Sequence, residues 1–165
     1  MKTLTLVRHA KSSWKDSSLA DRDRPLNKRG ERDAPVMARR IAAAGIRPSL
    51  IMSSPAVRAW RTAKTVAREI GYPIEFLQRE SGLYLASLRE IQEVLAAQDE
   101  KFNSLMLIGH NPGLTTFANF LVPGLTDNVP TAGVVCVNIN QDDWNLDDQP
   151  LADLVLFDYP KKRTS

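Results

Sequence analysis

Short apolar stretches alternate with amphipathic helical patterns along most of the chain, and this alternation constrains the fold more than any other feature. The apolar stretches are residues 3–7, 49–52, 74–77 and 104–109, and each has the length of a buried strand. Strands that alternate with helices join through right-handed crossovers into a parallel sheet with helices on both faces. The sequence therefore predicts a three-layer α/β/α sandwich with a mostly parallel sheet.

Start and stop signals delimit the helices between these strands. The signals are Asn27 and Gly45 for the first helix, Ser54 and Pro55 with Gly71 for the second, and the capping box Ser87 with Glu90 for the third. Pro35 leaves two alternatives for the first helix, which either begins near Asp33 or is kinked by the proline. A fourth helix is predicted over residues 114–121.

The last third of the chain predicts an antiparallel pair of strands. Residues 134–139 and 151–157 are apolar, and the turn-rich segment between them is short enough for a direct connection. We expect a single domain over residues 1–160 and a frayed basic tail over residues 161–165.

Composition excludes several classes of protein. The chain has 165 residues with 43% hydrophobic side chains and a net charge of only +3, and no long basic run precedes the tail, so we expect no nucleic-acid partner. We also expect no membrane association and a cytoplasmic location, since no apolar stretch is long enough for a signal peptide or a membrane span. The single cysteine, Cys136, excludes an internal disulfide and a cysteine zinc site.

Basic side chains follow the strands at the edge where α/β sheets hold their ligands. Arg8 and His9 come directly after the first strand, Arg58 falls in the first turn of the helix after the second, and His110 follows the fourth. A lone arginine or histidine in such a place is more often solvated or structural. Here, however, the chain's two histidines take the same topological position, and we expect all four side chains to converge.

Two arginines and two histidines without a set of metal ligands indicate a phosphate pocket. A neutral imidazole is a nucleophile toward phosphorus, while arginine forks and a second imidazolium stabilise the charge on the phosphoryl oxygens. Such a site needs no metal and no other cofactor. Glu80, after the third strand, is either a solvated carboxylate or a proton donor.

Three segments resemble the motifs of a known family. Residues 6–10, Leu-Val-Arg-His-Ala, resemble the Arg-His-Gly signature of the histidine phosphatase superfamily, also called phosphoglycerate-mutase-like. Residues 53–63 and 108–111 resemble its second and third motifs. The Asp23-Arg24-Pro25-Leu26 segment, Gly30 and Leu83-Tyr84 resemble the SixA branch of phosphohistidine phosphatases.

The resemblance implies roles for these residues. It makes His9 the residue that is phosphorylated, with Arg8, Arg58 and His110 as the phosphate clamp, and it implies an antiparallel edge strand in a mixed sheet. Ala10 stands where the signature has glycine, which we expect to alter the loop modestly. Glu80 lies where many relatives carry their acid, which makes it the tentative proton donor.

The leading hypothesis is a metal-independent phosphatase that acts through a phosphohistidine intermediate on His9, with phosphohistidine on a protein as its substrate. One alternative is a small-molecule phosphomonoesterase or mutase with the same site, whose partner is a small phosphate ester. Another is a binding module that reads phosphorylated partners without turnover.

Overall fold

Strands and helices alternate along the chain in the predicted order. A computed structural model describes residues 1–162, so the last three residues of the predicted basic tail lie outside the described residues. The elements are β1 (Lys2–Arg8), α1 (Lys28–Ala43), β2 (Leu50–Ser53), α2 (Val57–Ile70), β3 (Gln78–Arg79), α3 (Leu88–Ala96), β4 (Ser104–Gly109), α4 (Gly113–Leu121), β5 (Val134–Ile139) and β6 (Ala152–Asp158).

The six strands form one mixed sheet in the order β3-β2-β4-β1-β5-β6. Strands β1 to β4 are parallel, as predicted, and β5 is antiparallel to both of its neighbours. The reversed strand is therefore next to the edge, and β6 is the edge strand. Because β1 and β4 are neighbours in the middle of the sheet, the segments that follow them lie side by side.

Successive side chains of the strands enter two different cores, one on each face of the sheet. In β4, Leu105 and Leu107 pack with helices α3 and α4, whereas Met106 and Ile108 pack with α1 and α2. All four are buried. This period-2 alternation, with helices on both faces, confirms the three-layer α/β/α prediction.

The helix signals are largely confirmed. Asn27 caps α1 by accepting a hydrogen bond from the Gly30 amide at 2.8 Å, and Pro35 lies inside that helix. Gly71 ends α2 with φ of 76°. Helix α2 begins at Val57, later than the sequence predicts, although Ser54 Oγ still accepts from the Ala56 amide at 3.2 Å.

The predicted strand over residues 74–77 is wrong. Residues Ile74–Phe76 form a short 3₁₀ helix, and β3 is confined to Gln78–Arg79. The Phe76 and Leu77 amides donate to the Pro73 and Ile74 carbonyls, so local turn bonds replace a sheet ladder.

Within residues 1–162, no helix is both long and apolar enough to cross a membrane.

Candidate active site

The two histidines meet at the carboxyl ends of β1 and β4. In the pairing of β1 with β4, Arg8 lies opposite Gly109, and the His9 amide donates a hydrogen bond to the Gly109 carbonyl at 3.1 Å. The two imidazole rings therefore lie 5.2 Å apart between centroids, with their planes tilted by 55°. Both rings are buried, with 8% of His9 and 3% of His110 exposed.

Both predicted arginines border the same cavity, which has a volume of about 250 Å³ and is also lined by the two histidines. Arg58 projects from the first turn of α2, and its Nη2 lies 3.4 Å from His110 Nδ1. Arg8 ends β1, and its Nη1 donates to the Val129 carbonyl at 2.9 Å. The structure thus brings together four of the five predicted site residues.

Each of the two arginines keeps an unpaired donor. Among the described residues, the buried side-chain nitrogens and oxygens without a hydrogen-bond partner are Arg8 Nε and Arg58 Nε. A buried donor without an acceptor is costly, and such groups are normally paired. Both arginine side chains line one cavity, and their positive charge there favours an anionic, oxygen-rich ligand such as a phosphoryl group.

The hydrogen bond of His9 fixes which ring nitrogen is free. His9 Nδ1 lies 2.7 Å from the Ala10 carbonyl oxygen, which can only accept, so Nδ1 carries the proton and Nε2 carries the lone pair. Burial lowers the pKa of His9 to about 3, against the opposing effect of that hydrogen bond. His9 is therefore neutral near pH 7, as a nucleophile must be.

The same reasoning assigns the tautomer of His110. Arg58 Nη2 can only donate, so His110 Nδ1 accepts, and Nε2 carries the proton and donates to Ser54 Oγ at 2.7 Å. Burial, followed by the charge of Arg58, lowers the pKa of His110 to about 4. In the free protein His110 is therefore neutral, because buried surroundings and a neighbouring cation both oppose a second positive charge. The imidazolium predicted from the sequence is not the form that this site favours.

Asp21 also lines the cavity, although it is not among the site residues predicted from the sequence. Arg58 donates to it twice, from Nη1 to the backbone carbonyl at 2.7 Å and from Nη2 to the carboxylate at 2.9 Å. Tyr84 donates its hydroxyl to the same carboxylate oxygen at 2.5 Å. Burial alone would raise the pKa of Asp21, but the bonds from Tyr84 and Arg58 outweigh it and lower the pKa to about 2. Asp21 is thus an ionised group that orients Arg58.

Glu80 does not reach this cavity. It follows β3 at the edge of the sheet, three strand spacings or roughly 14 Å from β1. Its carboxylate accepts a hydrogen bond from the Gly82 amide at 3.0 Å and borders a different depression, beside α3. The position of Glu80 therefore does not fit the role of proton donor to a group bound at His9.

A roomier cavity of about 620 Å³ lies beyond the amino ends of β2 and β4, lined by Leu50, Tyr72 and Phe102 among others. It holds neither histidine and no cluster of arginines, so we place the candidate active site in the smaller cavity.

Within residues 1–162, no three His, Cys, Asp or Glu side chains are grouped in a way that could hold a metal ion.

Known proteins share both the sequence pattern and the fold. Residues 4–100 match the family model of the histidine phosphatase superfamily, branch 1. An uncharacterized chloroplastic protein of Arabidopsis thaliana is 32% identical over 131 residues, which are 72% of this chain and 58% of that protein. The chain thus spans little more than half of that relative.

Two solved structures resemble the whole fold. The crystal structure of a candidate SixA phosphohistidine phosphatase from Agrobacterium tumefaciens has a TM-score of 0.82 and 27% identity, with 96% of this chain and 98% of that one covered. A protein histidine phosphatase SixA in complex with tungstate has a TM-score of 0.79 at 19% identity, over 96% of this chain and 97% of that one. The chain therefore belongs to the histidine phosphatase superfamily, and its structure resembles the SixA type.

Proposed function

We propose that the protein is a phosphatase that transfers a phosphoryl group to His9 Nε2 and then to water, and that its substrate is phosphohistidine on a protein. The observation that carries the proposal is the neutral His9 ring, with Nε2 unprotonated, in a cavity that Arg8, Arg58 and His110 also line.

In the first step, the Nε2 lone pair of His9 attacks phosphorus and the phosphorus–nitrogen bond of the substrate breaks. The substrate ring departs as neutral imidazole when its other nitrogen already carries a proton, and the positive charge passes to the phosphorylated His9 ring. The hydrogen bond from Nδ1 to the Ala10 carbonyl stabilises that charge. Arg8 and Arg58 offset the charge on the three phosphoryl oxygens.

In the second step, water attacks phosphorus and the bond to Nε2 breaks. The electron pair returns to Nε2, both water protons leave with the product as dihydrogen phosphate, and His9 regains its neutral form. His110 lines the same cavity and stays neutral, because its Nδ1 accepts from Arg58 Nη2 and so helps to hold that guanidinium beside the phosphoryl group.

The ionised state of the carboxyl group in the cavity favours a substrate with a phosphorus–nitrogen bond over a phosphate ester. Among the described residues that line the cavity, Asp21 has the only carboxyl group, and with a pKa of about 2 it holds no proton to donate at neutral pH. An alkoxide leaving group is strongly basic and needs an acid, whereas imidazole, with a conjugate-acid pKa of about 6.5, departs without one. Phosphohistidine is the substrate class that such a site handles best.

The experiment is a rapid-quench measurement with a phosphohistidine peptide. We expect acid-labile phosphate to accumulate on His9 and none to form in His9→Gln, which keeps a neutral side chain of similar size. His110→Ala should slow turnover while the phosphate still appears on His9. Label on any other residue would contradict the proposed nucleophile.

A second measurement tests the substrate class. We expect kcat/KM to be higher for the phosphohistidine peptide than for phosphoserine and glycerol phosphate. If the alkyl phosphates are the better substrates, the protein is a phosphomonoesterase. If phosphate esters and phosphohistidine bind without turnover, it is a binding module.

A further inference from the structure

Two exposed apolar side chains border the candidate active site. Trp14 is 74% exposed and Leu85 is 52% exposed, and both line the cavity that holds His9. Apolar side chains that are exposed singly are ordinary on protein surfaces. Two of them at the mouth of one polar cavity form a local apolar rim, and neither contributes a group to the phosphoryl chemistry.

Trp14 is held in place from one side. The Arg24 guanidinium lies 3.5 Å from the centre of the indole ring, and it is fixed by hydrogen bonds to Ser12 Oγ at 2.8 Å and to Asp21 at 3.2 Å. Arg24 is itself only 7% exposed. The guanidinium therefore covers one face of the indole, and the exposed fraction of Trp14 leaves the rest of the ring free for contact.

The backbone beside Trp14 is also fixed. Ser12 forms an antiparallel bridge with Leu26, and the Ser13 amide donates to the Pro25 carbonyl at 2.8 Å. A rigid aromatic side chain loses little conformational entropy when a partner binds, which is why such residues are common anchors at interfaces.

Leu85 occupies a backbone conformation that leucine rarely adopts. Its φ is 48°, in the left-handed region that glycine and asparagine enter more easily. Tyr84 on one side is bonded to Asp21, and Ala86 on the other is buried, so both neighbours hold the segment. Folding stability alone would favour asparagine or glycine here, since leucine adds strain and an exposed apolar surface.

We propose that Trp14 and Leu85 bind apolar side chains that flank the phosphorylated histidine of a protein substrate. This inference rests on the proposed function. In the proposed complex the phosphoryl group lies against Arg8 and Arg58 inside the cavity, so Trp14 and Leu85 contact the residues on either side of the phosphorylated histidine. Free phosphohistidine has no apolar group to offer there, whereas a polypeptide has its neighbouring side chains.

The experiment compares two synthetic peptides that carry a central phosphohistidine with either leucine or serine on both sides. We expect the wild-type protein to prefer the leucine peptide about tenfold in kcat/KM, the effect of burying about one apolar side chain. Trp14→Ser should reduce this preference to less than threefold. Trp14→Phe, which restores an aromatic ring, should retain most of it.

Leu85→Asn tests the second residue without disturbing the backbone, because asparagine tolerates positive φ. It should lower the preference for the leucine peptide about threefold. Phe76→Ser is the matched control, since Phe76 is also exposed, at 62%, but lines the cavity at the other end of the sheet. The Phe76→Ser variant should prefer the leucine peptide over the serine peptide as strongly as the wild type does.

Equal kcat/KM for the two peptides in the wild type would overturn the inference and leave the proposed function intact. An unchanged preference in Trp14→Ser would overturn it as well. If the wild type hydrolyses neither peptide but does hydrolyse 4-nitrophenyl phosphate, the proposed substrate class fails, and the apolar rim would then bind the aryl group of an ester.

Discussion

The two buried histidines should make the fold sensitive to mild acid. The pKa values of His9 and His110, about 3 and about 4, lie below the value of about 6.5 expected for an unfolded chain. Between these limits the unfolded state binds protons that the folded state excludes. The stability that comes from the neutral rings is therefore fully present above pH 6.5 and is lost as the pH falls through this window.

The size of the effect follows from these values. Lowering the pH from 7 to 5 should cost about 2 kcal/mol for each histidine and about 4 kcal/mol for both, out of a total free energy of unfolding of about 5–15 kcal/mol. The chain has only these two histidines, and most carboxylates titrate below pH 5. The change in unfolding free energy between pH 7 and pH 5 therefore comes mainly from the two histidines.

Urea unfolding at pH 7, 6 and 5 measures this loss, and tryptophan fluorescence reports it because Trp144 is only 2% exposed in the folded state. His9→Gln should remove about half of the pH dependence, and the double variant with His110→Gln should remove nearly all of it. A double variant whose stability falls as steeply as that of the wild type would refute the reasoning.

Three further predictions follow from contacts in the structure. Asp21→Asn removes the charge that orients Arg58, and we expect kcat/KM to fall at least tenfold in steady-state assays, whereas Glu80→Gln should change it less than twofold because Glu80 borders another depression. Incubation with EDTA should leave the initial rate within twofold of the untreated protein, since charge neutralisation is assigned to the arginines; a loss that zinc or magnesium reverses would contradict this. The ammonium group of Lys2, which is 2% exposed, donates hydrogen bonds to the Phe102 carbonyl and other acceptors. Lys2→Met leaves these acceptors unpaired and should lower the free energy of unfolding, measured in urea, by roughly 1–3 kcal/mol.

Four of the site residues could be predicted from the sequence because local signals place them. Arg8 ends a strand with a clear apolar pattern, His9 and His110 directly follow such strands, and Arg58 lies in the first turn of the helix after β2. Once the strands are taken as parallel, their carboxyl ends must share one edge, and convergence follows without any knowledge of side-chain contacts.

Asp21 escaped prediction for a physical reason. It belongs to a three-residue 3₁₀ helix, Asp21–Asp23, in the polar connection between β1 and α1, which is too short for hydrophobic periodicity to indicate where its side chains point. Acidic neighbours such as Asp23 look equivalent in the sequence. Only the fold shows which of them reaches Arg58, although the Asp-Arg-Pro-Leu segment that begins at Asp23 marks the region.

Glu80 shows the opposite error. A residue that directly follows a parallel strand lies at the edge of the sheet formed by the strands' carboxyl ends. Its position along that edge depends on the strand order, which the sequence pattern does not give. Because the preceding strand, β3, is the outermost one, it is separated by one strand from β4, which precedes His110, and by two strands from β1, which precedes His9.

The place of β1 in the sheet has a consequence for synthesis of the chain. Its two neighbours, β4 and β5, are residues 104–109 and 134–139, so β1 leaves the ribosome well before either of the strands with which it pairs. At roughly 5–20 residues per second, this leaves the apolar stretch before Arg8 unpaired for several seconds. His9, the proposed nucleophile, is translated early, but the cavity around it forms only after His110 has emerged, and an unpaired apolar strand is prone to aggregation in the meantime.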